Sequence, residues 1–249
     1  MNCAAVAWPA DWLIPDWPAP RNVRACVTTR SSGDSVEPFA SFNLGEHVGD
    51  APEQVQRNRQ YLADTLQCRP TWLDQVHGAC VVAADATQAC TADASVTQQM
   101  GLACCIMSAD CLPVLFTDQA GTCVAAAHAG WRSLAGGVLE NTVASMQVPA
   151  QQIMAWLGPA IGPAVFEVGG EVHEAFVQQH AIAAQAFVPS KNADRWLADI
   201  YQLARIRLAA CGVQAVYGGG LCTLTDPRFY SYRSESVTGR FASLVWLTE

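Results

Sequence analysis

Apolar residues recur at helical spacing along four stretches of this chain. Val55, Leu62 and Leu66 fall on one face of a segment that follows Asp50, a residue able to cap a helix start. A second helix is predicted just after Arg132, because apolar residues continue at the same period through residue 146. The other two predicted helices cover residues 171–179 and 197–211.

Short runs rich in β-branched and apolar residues predict strands between these helices. They cover residues 23–29, 71–76, 80–84, 102–107, 114–117, 122–127, 153–157, 213–217 and 241–247. Helices and strands alternate without a regular βαβ rhythm, and the chain has no repeat of 20–50 residues. We therefore predict a single α+β domain over residues 1–249, in which the Trp- and Pro-rich residues 1–22 form an irregular lead-in.

Composition narrows the function classes. With 249 residues, 51% of them hydrophobic, the chain can bury a sizeable core. Its net charge of −8 and the lack of Lys or Arg runs argue against nucleic-acid and membrane partners, although a few clustered arginines suffice for a small anionic substrate. The 11 Cys show no disulfide-scaffold spacing, and we find neither a signal peptide nor a spanning segment. We expect a cytoplasmic monomer that acts on a small molecule.

Three residues stand out as metal ligands. His77, Cys111 and His128 each lie where a predicted strand meets a turn, and Gly78 and Gly130 flank the two histidines. Two imidazoles and a thiolate suit zinc, and three protein ligands leave the fourth tetrahedral position open, as in catalytic sites. We expect the three ligand atoms to converge to within about 4 Å of one another.

Residue type alone leaves a plainer interpretation open for each ligand. A single Cys in an apolar run is usually a core residue, and a single His is usually only hydrogen-bonded. The spacings, 111 − 77 = 34 and 128 − 111 = 17, match no short zinc-finger pattern.

Several neighbouring side chains are candidates for supporting chemistry. Asp110 can be a second acceptor beside the metal or an acid/base group. Glu167, between apolar residues, can transfer protons with a raised pKa or simply serve a helix start. Arg132 after Gly130 and Trp131 can bind an anion at a helix N-terminus, or can be a surface ion pair beside a core Trp. The further polar and basic candidates are Arg30, Asn43, Arg57, Arg59, Arg233 and Arg240.

Ten short motifs together resemble one family from about residue 11 to the C-terminus. They are Thr28-Thr29-Arg30, Ser41-Phe42-Asn43-Leu44-Gly45, His47-Val48-Gly49-Asp50, Asn58-Arg59, Gln75-Val76-His77-Gly78, Ala109-Asp110-Cys111-Leu112-Pro113, Ala127-His128-Ala129-Gly130-Trp131-Arg132, Leu157-Gly158-Pro159-Ala160-Ile161-Gly162, Phe166-Glu167-Val168-Gly169 and Thr238-Gly239-Arg240. This set resembles the YfiH-like family, also called the laccase-domain or multicopper polyphenol oxidoreductase family.

The resemblance implies a four-layer α/β/β/α fold with mixed sheets and a zinc site at His77, Cys111 and His128. It implies a purine nucleoside phosphorylase for adenosine, inosine and methylthioadenosine that also deaminates adenosine. Removal of L-Ser from UDP-MurNAc peptidoglycan precursors, an editing amidase reaction, is the alternative. Substrate or phosphate contacts would come from the following residues: Arg30, Asn43, Trp131, Arg132, Arg233 and Arg240.

Two positions depart from the family pattern. Ser133 stands where Gly usually follows the Trp-Arg pair, and Ser234 stands where a second Arg usually follows Arg233. The lost arginine removes one anion contact, but the three ligands are unchanged.

Copper polyphenol oxidation is the weakest of the three functions. A laccase needs a blue copper centre and a trinuclear cluster held mainly by imidazoles, and this chain has five His in total. A lone copper held by two His and one Cys remains arithmetically possible. Copper is accordingly the second metal candidate after zinc.

Overall fold

The helices carry the predicted apolar faces, with one break. The structure is a computed structural model that describes residues 8–249. Its α-helices are Pro52–Leu66 (α1), Trp131–Ala135 (α2), Val138–Ser145 (α3), Gly170–Val177 (α4) and Ile200–Ala210 (α5). Leu134 and Val138 are buried as predicted, but the helix expected after Arg132 divides at Gly136-Gly137, where Gly137 has φ 91°. Only glycine adopts that backbone conformation without a steric cost.

The strands form two large sheets and two small ones. They are Val23–Val27 (β1), Arg69–Thr71 (β2), Leu73–Asp74 (β3), Val81–Ala83 (β4), Cys90–Thr91 (β5), Ala94–Thr97 (β6), Leu102–Ser108 (β7), Leu112–Asp118 (β8), Val124–Ala129 (β9), Ile153–Leu157 (β10), Glu167–Gly169 (β11), Phe187–Pro189 (β12), Arg195–Ala198 (β13), Ala215–Gly218 (β14) and Phe241–Leu247 (β15). One sheet has the order β1-β15-β7-β2 and another the order β14-β10-β8-β9-β6-β4. Each contains both parallel and antiparallel pairs, so the prediction of mixed sheets is confirmed.

Alternation along the central strands creates four layers. In β8, Leu112, Val114 and Phe116 pack with the apolar faces of α3 and α5, while Leu115 points into the core between the two sheets. The opposite face of the four-stranded sheet packs on Leu62 of α1 and its neighbours. Since successive side chains of a strand point to opposite faces, each large sheet has apolar contacts on both sides. The predicted α/β/β/α architecture is therefore confirmed.

Some element boundaries differ from the sequence prediction. Leu197 was expected to begin a helix, but it lies in β13, and Asp199 caps α5 by accepting a hydrogen bond from the Gln202 amide at 3.0 Å. The strand predicted over residues 71–76 is interrupted at Trp72. The short strands β5, β6, β11, β12 and β13 were not predicted. Of the lead-in, residues 1–7 lie outside the described part of the chain.

Membrane insertion has no support in the described region. Within residues 8–249, no helix combines the length and the apolar character needed to cross a bilayer.

Candidate metal centre and active site

Two turns and the end of a strand bring His77, Cys111 and His128 to one end of the six-stranded sheet. Cys111 directly precedes β8, and His128 is the fifth residue of the neighbouring β9. Leu112 pairs with Ala129, so Cys111 emerges beside the end of β9. His77 lies in the turn that joins β3 to β4, with φ 60°. The predicted ligands therefore meet in space although 51 positions separate the first from the last (128 − 77).

The three side chains fit a single metal ion. Their ligand atoms all lie within 4.8 Å of one another, and Cys111 Sγ is 3.7 Å from His77 Nε2. Tetrahedral zinc would hold such atoms about 3.3–3.6 Å apart, so the cluster is slightly wider than the expected spacing and needs only a small contraction. Among residues 8–249, no other group of three or more His, Cys, Asp or Glu side chains lies close enough together to hold an ion. The donor set suits zinc and also copper.

A buried carboxylate holds two of these ligands in position. Asp93, fully buried just before β6, accepts from His128 Nδ1 at 2.8 Å. It also accepts from the backbone amides of His77 at 3.0 Å and Gly78 at 2.6 Å. With Nδ1 occupied, His128 turns Nε2 toward the cluster. Asp93 therefore has the supporting role that the sequence suggested for Asp110.

Asp110 has a different set of partners. Its carboxylate accepts from the Thr223 hydroxyl at 2.6 Å and from the Arg233 backbone amide at 2.7 Å. Its own backbone has φ 91°, and its carbonyl accepts from Ile161 N at 2.9 Å. These bonds join the turn before Cys111 to the loop that carries Arg233.

Charge interactions favour a thiolate at Cys111. Burial by itself raises the pKa of Cys111, but the adjacent His128 imidazolium and hydrogen bonds from both histidines outweigh it and lower the pKa to about 6. Burial lowers the pKa of His128, whereas Cys111 and Asp93 raise it more strongly. A deprotonated sulfur is the form that binds a metal ion.

We expect Cys111 to be the most rapidly alkylated cysteine of the metal-free protein at pH 7. Its lowered pKa makes most of it thiolate there, and the exposed Cys80 is the thiol for comparison. Iodoacetamide labelling followed by peptide mass spectrometry measures both rates. Saturating Zn²⁺ should block labelling of Cys111 and leave Cys80 unaffected. Equal labelling of the two thiols without metal would contradict the proposed thiolate.

Gly130 leaves the space in which the ligands meet. A Cβ atom at this position would lie 2.9 Å from Cys111 Sγ and 2.9 Å from His77 Cδ2. Backbone strain is not the reason for glycine, since its φ is −58°. We expect Gly130→Ala to push the sulfur and the imidazole apart and to weaken zinc binding by about 10-fold or more. Competition with a chromogenic chelator measures the affinity, and Gly170→Ala, where the new Cβ meets nothing within 4 Å, is the control. Unchanged affinity in Gly130→Ala would contradict this packing argument.

The cluster opens into a cavity of about 460 Å³, a size typical of small-molecule sites. All three ligands line it, together with five of the predicted site residues: Asp110, Trp131, Arg132, Arg233 and Arg240. The other lining residues are His47, Gln75, Met107, Ser108, Ala109, Ile161, Phe166, Ile200 and Tyr232. Polar groups thus face a partly apolar wall, as binding of a planar organic substrate requires.

Three arginines and one carboxylate, that of Asp110, line the cavity, so most of its charged side chains are basic. Within residues 8–249, no ion pair with an Asp or Glu involves Arg132, Arg233 or Arg240. Arg132 stacks on the Trp131 ring with 4.3 Å between Cζ and the centroid, and Arg233 Nη1 donates to the Glu167 carbonyl at 3.2 Å. The helix-terminal anion site stays a prediction, and α2, with five residues, would contribute only a small dipole to it. Attraction of an anion depends on the guanidinium groups.

Three predicted site residues lie away from the cavity wall. Arg30 donates from Nε to the Ala40 carbonyl at 3.1 Å and covers the Tyr230 ring. Asn43 is fully buried. The Glu167 carboxylate accepts from Ser190 at 2.5 Å and from Asn192 at 2.9 Å, and these bonds lower its pKa. The raised pKa considered for Glu167 is therefore wrong, because two donors stabilise its anion outside the cavity.

Sequence reasoning missed three residues that shape the site. Asp93 follows a weakly apolar stretch, and nothing in its local sequence marks it as a partner of His128. Gln75 accepts from Met107 N and donates to Met107 O, both at 2.9 Å, which fixes the turn before His77. His47 lines the cavity from a 3₁₀ turn, and its motif was noted without a role being assigned to it.

The fold and the site together define a class: a four-layer α/β/β/α domain with an open His₂Cys cluster in a small-molecule cavity. The chain belongs to the family described as multi-copper polyphenol oxidoreductase laccase, whose model matches residues 24–248. The YfiH-like resemblance is thereby confirmed.

Similar proteins match over nearly the whole chain. A purine nucleoside phosphorylase of Pseudomonas aeruginosa is 64% identical over 239 residues, covering 96% of this chain and 99% of that protein. The Escherichia coli purine nucleoside phosphorylase YfiH is 51% identical over 240 residues, covering 94% of this chain and 98% of that protein. The crystal structure of a Neisseria meningitidis protein superposes with a TM-score of 0.93 at 50% identity, covering 96% and 99% of the two chains.

Proposed function

We propose that this protein is a zinc-dependent purine nucleoside phosphorylase that also deaminates adenosine. Adenosine, inosine and methylthioadenosine are the proposed substrates. The observation that carries the proposal is the meeting of His77, Cys111 and His128 in a cavity that three arginines also line. The Pseudomonas and Escherichia relatives are named purine nucleoside phosphorylases, which supports the phosphorylase part of the proposal.

In phosphorolysis, different residues of the cavity bind the phosphate and the purine. Arg132, Arg233 and Arg240 attract the phosphate anion and hold it against the ribose carbon, which lowers the entropic cost of the displacement. Phe166 and Tyr232 offer flat apolar surface for the purine. Zinc held by the three ligands supplies Lewis-acid polarisation and, for deamination, activation of water.

In this proposal, Asp110 positions other residues of the site. Both carboxylate oxygens already accept a hydrogen bond, one from Thr223 and one from the Arg233 amide. Asp110 thereby fixes the turn of Cys111 relative to the loop of Arg233. Glu167, whose carboxylate lies outside the cavity, has no role as a proton-transfer group in this proposal.

The direct test is incubation of the zinc-loaded protein with adenosine and phosphate. Chromatography should detect adenine with ribose 1-phosphate, and inosine or hypoxanthine from deamination. Cys111→Ala purified in the same way controls for contaminating enzymes. Absence of all these products with full zinc occupancy would reject the proposal.

A cell-wall substrate distinguishes the nucleoside phosphorylase from the editing amidase. UDP-MurNAc carrying L-Ser is offered to the same preparation, because an open metal site can also serve amide hydrolysis. Cleavage orders of magnitude faster than phosphorolysis would make the nucleoside reaction a side activity. Oxidation of a polyphenol is the weakest expectation, since residues 8–249 present one three-ligand cluster and no second group for a trinuclear copper site.

A further inference from the structure

His47 occupies the cavity wall without an assigned role. It lies in the 3₁₀ turn Glu46–Val48, between Gly45 and Gly49, and Gly49 has φ 95°. It is exposed, and it lines the same cavity as the metal ligands and Arg240. An imidazole in a ligand cavity can donate to or accept from an anion.

The fold fixes this turn directly against Arg240. The buried Asn43 side chain accepts from Gly45 N and from Arg240 N, each at 2.9 Å. Leu44 N donates to the Arg240 carbonyl at 3.0 Å. A Cβ at Gly45 would come within 2.8 Å of Arg240 Cγ, so the arginine stem packs on the turn that carries His47. Asn43 therefore couples the two side chains, although it does not reach the cavity itself.

Arg240 retains donors for a ligand. Its Nη1 group donates to the carbonyls of Thr238 at 3.0 Å and Gly239 at 2.9 Å. A guanidinium has five N–H donors, so Nε and Nη2 retain three. These three suit the oxygens of a tetrahedral anion.

The surroundings of His47 favour a neutral ring until an anion arrives. Burial lowers the pKa of His47, and the positive charges of Arg240 and Arg59 lower it further. Asp74 and Glu46 act in the opposite direction. A bound anion would act in the same direction as these carboxylates and would favour the imidazolium.

We propose that His47 and Arg240 form a phosphate subsite, with Asn43 as the positioning residue that holds them together. The chemistry recognised is a phosphate group, carried either by inorganic phosphate or by a nucleotide. This inference rests on the proposed function: it adds His47 as a phosphate contact beside Arg240, one of the three arginines proposed to hold the anion. His47 contacts the phosphate through a ring nitrogen, and Arg240 contacts it through Nε and Nη2.

Calorimetric titration of the zinc-loaded full-length protein with inorganic phosphate tests the subsite without turnover. Arg240→Gln should weaken binding about 10- to 100-fold, since a charge-assisted contact is lost. Arg240→Lys should recover part of that loss by keeping the charge. His47→Gln should weaken binding about 3- to 10-fold. The matched controls are His180→Gln and Arg57→Gln, which lie outside the cavity and should stay within about twofold.

Kinetics separate contact from mere support of the fold. In phosphorolysis, His47→Gln should raise KM for phosphate and leave KM for the nucleoside unchanged. A structural defect would change both constants. Wild-type phosphate affinity in His47→Gln would overturn the subsite even if phosphorolysis is observed. Phosphate binding that depends on His47, without any phosphorolysis, would instead overturn the proposed function.

A parallel titration with uridine diphosphate distinguishes the two phosphate sources. If the nucleotide binds no more tightly than inorganic phosphate, the subsite serves the free anion, as phosphorolysis requires. If the nucleotide binds at least 10-fold more tightly and His47→Gln weakens it equally, the subsite serves a nucleotide-linked substrate. If neither ligand responds to His47→Gln, the subsite does not exist.

Discussion

Cys111→Ala is expected to lose the metal and the enzymatic activity while keeping its fold. Cys111 supplies the only sulfur of the cluster, and two histidines alone bind zinc poorly. Loss of a ligand should exceed the about 10- to 100-fold cost of losing an outer hydrogen-bond partner. Elemental analysis after gel filtration measures zinc, and nucleoside turnover measures activity.

The fold should tolerate this change because the core does not depend on the cluster. Cys111 is half-buried in a turn, whereas the strands before and after it, β7 and β8, are fully buried. The free energy of unfolding should fall by no more than about 1–2 kcal/mol, measured by denaturant titration of the metal-free proteins. Cys80→Ala, at an exposed thiol outside the cavity, is the control. Full zinc occupancy in Cys111→Ala would exclude Cys111 as a ligand.

Asp93→Asn is expected to damage both metal binding and stability. The carboxylate accepts from His128 Nδ1 and from the amides of His77 and Gly78. An amide group in its place turns an NH₂ toward at least one of these donors. Zinc affinity should fall about 10- to 100-fold, and the free energy of unfolding should fall by about 2–4 kcal/mol.

The pH dependence of this loss has a defined sign. Burial raises the pKa of Asp93, but the hydrogen bonds from His128 and Gly78 outweigh it and hold the pKa below its ordinary value. The stabilisation is therefore fully present above the unfolded pKa of about 4 and is lost as the pH falls through the lower folded value. The stability difference between wild type and Asp93→Asn should shrink below about pH 4.

An exposed aspartate supplies the matched control for this experiment. Asp16→Asn changes the same charge at the surface and should leave zinc affinity and stability unchanged within about 0.5 kcal/mol. If Asp93→Asn binds zinc as tightly as the wild type, Asp93 does not orient His128 in the way the structure indicates.

The pattern of apolar and polar residues predicted most helices and strands, because the apolar positions in these elements are also the buried ones. The strands β7, β8 and β9 are continuous apolar runs with contacts on both faces, so their residues alone mark them. Short strands such as β11 and β12 carry no such signal, since three residues do not establish a period. The sequence Gly136-Gly137 indicated a break between α2 and α3. The helical spacing of apolar residues continued across it, however, and favoured a single helix.

The sequence by itself determined the four-layer family fold and the three candidate ligands, because those residues lie in specific motifs at strand ends. Only the tertiary structure decided which side chains share the cavity. Asp93 supports His128 across 35 positions, whereas Asp110, adjacent to Cys111, turns to Thr223. Arg30, Asn43 and Glu167 were equally plausible polar residues until hydrogen bonds placed them elsewhere. The physical reason is that the direction of a side chain depends on long-range pairing and burial, which short-range sequence does not encode.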